Sequence, residues 1–336
     1  MTRIAINGFG RIGRAFVRAA QGDADIEIVA INDLGSIDNL AYLLKYDSVY
    51  RHAPFAVVVQ DGKLLVGEKE IAFISEKDPA KLPWKDMAID VVIESTGIFD
   101  SYEKASAHLA AGAKRVVISA PVKDDAPNGK TMLVGVNEDA LGGIEVTSNA
   151  SCTTNSASPL IAILDEHVGI EKALLSTTHA YTSTQSLVDS PAKGDMRRGR
   201  AAAQNIAPSS TGAAVAVTKA YTQLAGKFDG IAIRVPVVAG SLVDITFIAK
   251  RPTTAEEINQ LLKTAAGEAR WQGIFAVTEE PLVSVDIVGS KHASIADLAM
   301  TRVVDGNLVK VLAWYDNEMG YTHTLLRHVK TVAAQL

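Results

Sequence analysis

Residues 4–13 of the chain are Ile4-Ala5-Ile6-Asn7-Gly8-Phe9-Gly10-Arg11-Ile12-Gly13, a short apolar run that ends in three glycines. The next seven residues have the apolar spacing of a helix, and residues 26–31 form a second β-rich run. A strand, a glycine turn, a helix and a second strand within this length predict a right-handed parallel crossover. The segment therefore predicts an α/β fold that begins with a Rossmann-type unit.

The glycines have the spacing of a dinucleotide fingerprint, and Asp33 lies 20 residues beyond the last of them. In this interpretation Gly8 makes the turn, Gly10 lets the backbone approach a pyrophosphate, and Gly13 lets helix and strand pack closely. Asp33 would accept hydrogen bonds from the adenosine ribose and repel a 2′-phosphate, which favours NAD over NADP. The alternative for Asp33 is a turn or cap acid, and its position relative to the glycines favours the ribose role.

The rest of the chain predicts two domains. Apolar runs at 91–93, 116–118 and 132–134 alternate with helix-like segments such as 102–111, as in a parallel sheet covered on both faces. After about residue 150 the strands are longer and alternate in polarity, which predicts a mostly antiparallel sheet. We therefore expect an α/β protein with a Rossmann-type dinucleotide-binding domain and a second, α+β domain with a mostly antiparallel sheet. Helices are predicted after Thr254 and from residue 321 to the end.

Composition excludes several classes of protein and site. A length of 336 residues suits about two domains, and a single cysteine rules out an intrachain disulfide and cysteine-based metal sites. The 33 basic and 38 acidic residues give a net charge of −5, which provides no overall attraction to nucleic acid or an anionic membrane. No stretch reaches the length of a membrane span, so a cytoplasmic protein without a metal is expected.

The single cysteine lies in a segment rich in helix-capping residues. Residues 148–155 are Ser-Asn-Ala-Ser-Cys-Thr-Thr-Asn, and an apolar stretch of helical length follows, in which Pro159 predicts a kink. Cys152 should lie at a helix N-terminus, where the dipole and unpaired N–H groups are expected to lower the thiol pKa and could stabilise an oxyanion. An arbitrary free cysteine is more often a small buried hydrophobe, but the flanking hydroxyls favour a nucleophile.

A nucleophilic thiol needs a base within hydrogen-bond reach. His179 follows the predicted strand 173–178, at a strand end, although six other histidines compete for the role. Residues 197–200 are a dense basic cluster, and residues 209–212 and Arg234 add hydroxyls, a glycine and a further guanidinium. Such groups suit a phosphate site, while a solvated surface or a subunit salt bridge is the alternative.

Together these motifs resemble the glyceraldehyde-3-phosphate dehydrogenase family along essentially the whole chain. The segments that carry the resemblance are residues 7–13, 148–155, 179–182, 198–203, 210–214, 234–236 and 314–318. The resemblance implies a Rossmann NAD-binding domain over 1–151 and 315–336 and a catalytic domain over 152–314. It also implies the phosphorylating oxidation of glyceraldehyde 3-phosphate to 1,3-bisphosphoglycerate in glycolysis, with reduction of NAD.

The resemblance assigns roles to individual residues. Cys152 would be the nucleophile that forms a thiohemiacetal and then a thioester, and His179 would take the proton. The residues implied for the cofactor are Gly8, Gly10, Arg11, Ile12, Gly13, Asp33, Lys77, Ser119 and Asn317. Those implied for the substrate phosphate are Thr182 and Arg234, and those for the attacking phosphate are Ser151, Thr153, Arg198, Thr211 and Gly212. A homotetramer is implied, in which residues 189–203 pack beside a neighbour's cofactor site.

Some positions depart from the family pattern. Ser156 stands where many members have a second cysteine, and residues 237–241 differ from the usual Thr-Pro-Asn-Val-Ser. Ser190 replaces a hydrophobic residue common in NAD-specific members, which leaves dual use of NAD and NADP open. The alternatives are the related erythrose-4-phosphate dehydrogenase, which releases an acid by hydrolysis, and a non-catalytic NAD-binding redox sensor that uses Cys152.

Overall fold

A computed structural model describes residues 1–336, apart from the side chain of Ala140. The chain forms two compact units. The first contains Met1–Met132, Glu138–Ala150 and Thr322–Leu336, and the second contains Leu133–Asn137 and Ser151–Tyr321. The first boundary thus lies one residue before the expected division at 151, and the chain returns to the first unit seven residues after the expected position 315.

The first unit is built around a nine-stranded sheet. The strands of this unit, inside and outside the sheet, are β1 (Thr2–Asn7), β2 (Ile26–Asn32), β3 (Tyr46–Asp47), β4 (Arg51–His52), β5 (Val57–Gln60), β6 (Lys63–Val66), β7 (Lys69–Ile74), β8 (Val91–Glu94), β9 (Arg115–Ile118), β10 (Gly129–Thr131) and β11 (Val146–Ser148). Its first helices are α1 (Arg11–Ala19), α2 (Ile37–Lys45), α3 (Tyr102–Ala105) and α4 (Ala107–Ala110), with 3-10 turns at Pro79–Lys81 and Glu138–Leu141.

The order of the large sheet is β10-β11-β9-β8-β1-β2-β7-β6-β5, while β3 and β4 form a separate hairpin. The strands from β10 to β7 are parallel, and β6 is antiparallel to both of its neighbours. The strand neighbours of β1 are β2 on one side and β8 on the other, so the topology switches direction at β1. In such sheets a crevice forms at the carboxyl ends of the strands beside the switch point, which is where ligands bind.

One local prediction for this part of the chain is wrong, and another is confirmed with an interruption. Residues 132–134 are not a strand, because β10 ends at Thr131 and Leu133 begins a turn. In that turn the side-chain oxygen of Asn137 accepts a hydrogen bond from the Leu133 N–H at 2.8 Å, and the Val136 N–H donates to the Leu133 carbonyl. The apolar run is buried without belonging to a sheet. The predicted helix at 102–111 is two short helices, α3 and α4, which meet at Ser106.

The second unit has a seven-stranded mixed sheet. Its strands are β12 (Ile170–Ala180), β13 (Ala207–Ser210), β14 (Phe228–Val235), β15 (Ser241–Ala249), β16 (Phe275–Thr278), β17 (Ser294–Val304) and β18 (Leu308–Tyr315). Its helices are α5 (Cys152–His167), α6 (Ala213–Ala220) and α7 (Ala255–Ala266), with 3-10 turns at Met196–Gly199, Thr222–Leu224, Ala269–Trp271 and Ser284–Ile287.

The strand order of this sheet is β13-β14-β12-β15-β18-β17-β16, and four of its six neighbouring pairs are antiparallel. The predicted α+β unit with a mostly antiparallel sheet is therefore confirmed. The apolar residues of α5, α6 and α7 pack with the inner side chains of the sheet in one core. As predicted, Thr254 caps α7, since its side chain accepts a hydrogen bond from the Glu257 N–H.

The last helix, α8 (Met319–Ala333), begins in the second unit and belongs to the first from Thr322 onwards. Within the first unit, buried His328 lies 3.0 Å from the side-chain oxygen of Asn149 and 2.8 Å from the hydroxyl of Thr147. These bonds attach the C-terminal helix to the end of β11. Among the helices of the described residues, none has the length and apolar character that crossing a membrane requires.

Candidate active site

Cys152 is the first residue of α5. Ser151 caps this helix, because its hydroxyl accepts a hydrogen bond from the Thr154 N–H at 3.0 Å. The helix then runs through Pro159 into the core of the second unit. The thiol is thus held at a helix N-terminus, next to the backbone donors that a helix leaves unpaired there.

His179 faces the thiol. Its Nε2 lies 3.3 Å from the Cys152 Sγ, and the imidazole is 3% exposed. Its Nδ1 lies 2.6 Å from the Ala180 carbonyl oxygen, to which an Nδ1–H can donate. We assign the proton to Nδ1, because the Ala180 carbonyl oxygen can only accept; the nearby Nη1 of Arg234 then donates to that same oxygen and not to Nδ1. The lone pair of Nε2 is thereby directed at the thiol. The imidazole is then an acceptor for the thiol proton.

Arg234 lies beside this pair because of strand register. β12 and β14 are parallel neighbours in which His179 pairs with Arg234, so the two side chains meet at the end of the sheet. The Nη1 of Arg234 lies 2.6 Å from the His179 Nδ1 and donates to the Ala180 carbonyl at 3.0 Å. A permanent positive charge is therefore placed next to the imidazole.

The surroundings change the protonation of both groups. Burial and the Arg234 charge lower the pKa of His179 to about 3, so the imidazole is neutral at physiological pH. Burial raises the pKa of the Cys152 thiol, although Arg234 and the hydrogen bonds from Thr153 act in the opposite direction. The sequence-based expectation of a lowered thiol pKa is wrong for this arrangement, because desolvation of the thiolate outweighs the helix N-terminus.

The other predicted substrate and phosphate residues form separate hydrogen bonds. Thr211 and Gly212 precede α6, and Thr211 accepts a hydrogen bond from the Ala213 N–H at 3.2 Å. The starts of α5 and α6 are joined by the Thr154 hydroxyl, which donates to the Ala213 carbonyl at 3.5 Å. Thr182 bonds to the hydroxyl of Thr184.

Arg198 donates to the Ser209 hydroxyl from Nε at 3.4 Å and from Nη2 at 3.3 Å. Of the predicted residues in the second unit, the structure therefore brings Cys152, His179 and Arg234 into one contiguous group. Ser151 and Thr153 flank the thiol in the chain.

Asn317 is held in place by its neighbours. Its side-chain oxygen accepts hydrogen bonds from the Ser241 hydroxyl at 3.0 Å and from the Gly240 N–H at 3.2 Å. Both neighbours belong to the 237–241 segment that departs from the family pattern. Gly240 has a φ of +85°, and a Cβ there would lie 2.3 Å from the Ser284 carbonyl oxygen, so a glycine is required at this position.

The first unit contains a separate cleft of about 370 Å³ at the carboxyl ends of β1, β2 and β8. Its lining residues are Asn7, Gly8, Gly10, Asn32, Asp33, Leu34, Glu76, Lys77, Ser95, Thr96, Ile98 and Phe99. The cleft lies beside the topological switch at β1 and next to the N-terminus of α1. This is the place at which a doubly wound sheet binds a dinucleotide.

Each glycine of the fingerprint has its own steric reason. Gly8 has a φ of +96°, and a Cβ there would lie 2.6 Å from the Thr96 backbone nitrogen. A Cβ on Gly13 would lie 2.3 Å from the Gly8 carbonyl oxygen, so helix and strand could not pack as they do. A Cβ on Gly10 would meet nothing within 4 Å, which leaves the cap of α1 open to a ligand. The cleft therefore fits a pyrophosphate at a helix N-terminus.

The polar residues around this cleft differ in their hydrogen bonds, ion pairs and exposure. The Asp33 carboxylate accepts hydrogen bonds from the Phe9 and Gly35 N–H groups, at 2.6 and 2.8 Å, and so is held at the cleft wall. Arg11 forms a salt bridge with Asp47 at 2.5 Å, so its side chain points to that carboxylate. Lys77 is exposed at the cleft.

Of the two remaining predicted residues, Ser119 follows β9, and its N–H donates to the Glu94 carbonyl at 2.8 Å. Ile12 is partly exposed in the first turn of α1.

Comparison with known proteins agrees with this arrangement. The family model described as the NAD binding domain of glyceraldehyde 3-phosphate dehydrogenase matches residues 2–102, and the model of the C-terminal domain of the same enzyme matches residues 151–317. The chain belongs to the glyceraldehyde-3-phosphate dehydrogenase family.

Similar curated members of the family match the chain over nearly their whole length. A glyceraldehyde-3-phosphate dehydrogenase from Clostridium acetobutylicum is 48% identical over 332 residues, which cover 97% of each chain. One from Mycobacterium avium is 47% identical over 342 residues, and glyceraldehyde-3-phosphate dehydrogenase 2 of Streptomyces avermitilis is 48% identical over 337 residues. In both cases 99% of each chain is covered.

Membership of the glyceraldehyde-3-phosphate dehydrogenase family confirms the resemblance, the Rossmann NAD-binding fold and an NAD-dependent oxidoreductase. The two alternatives, erythrose-4-phosphate dehydrogenase and a redox sensor, are not favoured by these comparisons. In the part of the chain that the structure describes, no three His, Cys, Asp or Glu residues cluster as a metal site would require.

Tyr315 received no role in the sequence analysis, and the structure places it next to the His179 ring. Its buried hydroxyl lies 2.9 Å from the Thr153 hydroxyl and 2.8 Å from that of Thr177, and its ring meets His179 edge-on at 5.9 Å between centroids. Burial raises the pKa of Tyr315, so the phenol is neutral. The available signal was its place in the 314–318 segment, two residues before Asn317.

Ser241 was also missed. Besides donating to Asn317, its hydroxyl accepts a hydrogen bond from the Ala180 N–H at 3.1 Å. It therefore connects Asn317 with the backbone next to His179. No local pattern marks a serine at the start of β15 for this role.

Proposed function

We propose that the chain oxidises glyceraldehyde 3-phosphate with NAD and inorganic phosphate to give 1,3-bisphosphoglycerate. The observation that carries the proposal is the contact of 3.3 Å between the Cys152 thiol at a helix N-terminus and the Nε2 of neutral His179. A thiol next to an acceptor nitrogen is the arrangement that activates a sulfur nucleophile. Family membership and relatives that bear this enzyme's name agree with it.

In the proposed reaction the Cys152 sulfur attacks the aldehyde carbon, and the thiol proton passes through the His179 Nε2 to the carbonyl oxygen. The product is a thiohemiacetal, whose forming oxyanion the N–H groups at the start of α5 can stabilise. His179 then takes the hydroxyl proton, and NAD, when it is held in the cleft, would supply the acceptor for the hydride that leaves the carbon. Phosphate attacks the resulting thioester, the C–S bond breaks, and the thiolate regains its proton.

The same proposal assigns the remaining predicted residues. NAD would be held by Gly8, Gly10, Arg11, Ile12, Gly13, Asp33, Lys77, Ser119 and Asn317. Because the Arg11 side chain is paired with Asp47, we assign its backbone to the cofactor. The Asp33 carboxylate at the cleft wall would take the ribose hydroxyls.

Two anion sites complete the assignment. Thr182 and Arg234 would hold the phosphate of the substrate, and Ser151, Thr153, Arg198, Thr211 and Gly212 would hold the attacking phosphate. The adjoining helix starts of α5 and α6 support the second site, because their unpaired N–H groups favour an anion. Guanidinium groups supply bidentate donors at both sites.

The experiment that tests this function is an NADH assay with glyceraldehyde 3-phosphate, with and without phosphate. We expect NADH formation to require added phosphate or arsenate, because the thioester on Cys152 is released by that attack. Erythrose 4-phosphate should be a poorer substrate, and NADP a poorer cofactor because of the Asp33 charge. Oxidation that proceeds equally without phosphate and prefers erythrose 4-phosphate would contradict the proposal.

We also propose that the chain forms a homotetramer. The outer face of the second unit's sheet carries exposed apolar side chains, among which Leu174 is 67% exposed and Ile231 53%. Leu187 and Met196, which are 80% and 83% exposed, lie in or next to the 189–203 segment. Apolar groups in such numbers favour burial against another copy.

Light scattering during size exclusion should give about four times the chain mass of 35.6 kDa. Leu174→Glu should lower that mass, since it places a charge on the proposed interface, whereas Glu171→Gln on the same strand should not. A wild-type mass of one chain would contradict the proposal.

We propose a cytoplasmic location in the cell, because a single unpaired cysteine suits a reducing compartment. Cell fractionation tests this location.

A further inference from the structure

A buried polar network lies behind the proposed cofactor cleft, and the reaction described above does not use it. Asn7, Asn32 and Glu94 are the last residues of β1, β2 and β8, and each is at most 4% exposed. The register pairs Asn7 with Asn32 on one side and with Glu94 on the other. Three polar side chains therefore meet at the carboxyl edge of adjacent parallel strands.

Glu94 is the centre of this network, because its carboxylate accepts four hydrogen bonds. Its Oε1 accepts from the Thr96 N–H at 2.8 Å and from the Thr96 hydroxyl at 2.5 Å. Its Oε2 accepts from the Asn7 amide at 2.5 Å and faces the His108 Nε2 at 3.0 Å. Both oxygens of Glu94 are therefore engaged as acceptors by neighbouring groups.

The neighbouring tryptophan determines the tautomer of His108. The Trp84 indole N–H can only donate, and it lies 3.0 Å from the His108 Nδ1. The Nδ1 must therefore be the acceptor, and the proton of a neutral imidazole lies on Nε2, from which it is donated to Glu94. Trp84 and His108 are fully buried, so the carboxylate is held by neutral donors out of contact with water.

Glu94 does not line the cleft, but two of the residues it holds do. Asn7 and Thr96 both line it, and the Thr96 backbone is the atom group that lies against Gly8. Asn7 in turn accepts a hydrogen bond from the Asn32 amide at 2.7 Å. The carboxylate therefore connects Asn7, at the end of β1, with Thr96, which follows β8 and lies against the glycine turn.

We infer that Glu94 is a positioning residue for NAD, which sets Asn7 and Thr96 at the cleft wall through its buried carboxylate. The inference rests on the proposed placement of the cofactor in this cleft. Trp84 and His108 act one step further away, since they orient the carboxylate. At metal sites, replacing the outer partners of the ligands changes affinity by about 10- to 100-fold, and we expect an effect at the lower end of that range here.

The test is a calorimetric titration of the purified protein with NAD alone. Glu94→Gln keeps the size of the side chain but replaces one acceptor oxygen with an NH₂ group. In either orientation of the amide, this NH₂ group faces two neighbours that donate to the carboxylate in the wild type. We expect its Kd for NAD to rise about tenfold. The kcat at saturating NAD and the KM for glyceraldehyde 3-phosphate should stay within about threefold, a split that a general loss of folding would not produce.

Two further variants complete the design. Trp84→Phe removes the indole donor, so the His108 proton can move to Nδ1 and Glu94 loses a partner; we expect a rise of a few-fold in the Kd. Tyr102→Phe is the control, because it deletes another buried hydroxyl of the same unit, bonded to Thr131 at 3.1 Å, and should leave the Kd unchanged.

A folded Glu94→Gln with a Kd within twofold of the wild type would overturn the inference. If that variant does not fold, an unchanged Kd in Trp84→Phe would overturn it. The titration contains neither aldehyde nor phosphate, so its outcome is separate from that of the proposed reaction, which the NADH assay of the wild-type protein tests.

Discussion

Cys152→Ser should abolish NADH formation from glyceraldehyde 3-phosphate, with a fall in kcat of at least about 10⁴-fold, the scale on which loss of a covalent nucleophile falls. The hydroxyl that replaces the thiol is a far weaker nucleophile at neutral pH, and the single cysteine of the chain leaves no substitute. The measurement is the initial rate at saturating NAD, aldehyde and phosphate. Binding of NAD, measured by titration, should be unchanged.

The matched control is Ser156→Ala, one turn further along α5. The buried hydroxyl of Ser156 has no hydrogen-bond partner among the described residues, so its removal should cost neither activity nor stability. Residual turnover above about 1% in a folded Cys152→Ser would show that the sulfur is not the nucleophile.

The second large effect is expected from His179→Asn, which should lower kcat/KM by about 10²- to 10⁴-fold, the usual contribution of a general base. An amide cannot take the thiol proton. The matched control is His167→Asn, at the opposite end of α5, where an exposed imidazole bonds to the Ile163 carbonyl and should be dispensable. Equal losses in the two variants would contradict the assignment.

The pH dependence follows from the low pKa of His179. An unfolded histidine has a pKa near 6.5, whereas burial and Arg234 lower that of His179 to about 3. The neutral, proton-accepting form therefore persists as the pH falls from 7 to 5, and the acid limb of kcat/KM should not have a midpoint near 6.5. The unfolded state binds more protons between pH 6.5 and 3, so this residue makes the fold lose stability as the pH falls through that range.

Local sequence was sufficient to predict those elements whose structure depends on residues close to them in the chain. The glycine turn at residues 8–13 follows from close backbone approach, and the start of α5 follows from the Ser151 cap. By contrast, the apolar run at 132–134 resembles a strand, although a hydrogen bond from Leu133 to the Asn137 side chain turns the chain there. Burial alone does not distinguish a strand from a buried turn.

The sequence by itself determined the Rossmann unit, the mostly antiparallel second sheet and the position of Cys152 at a helix start, since periodicity, glycine sterics and capping act within a few residues. Local pattern left seven histidines as candidates and only the family resemblance singled out His179; the tertiary structure shows that it faces the thiol, because the contact depends on where β12 ends relative to α5. It also placed Arg234 beside His179 through strand register, and raised the thiol pKa through burial. Register and desolvation arise from residues far apart in the chain, and no local pattern records them.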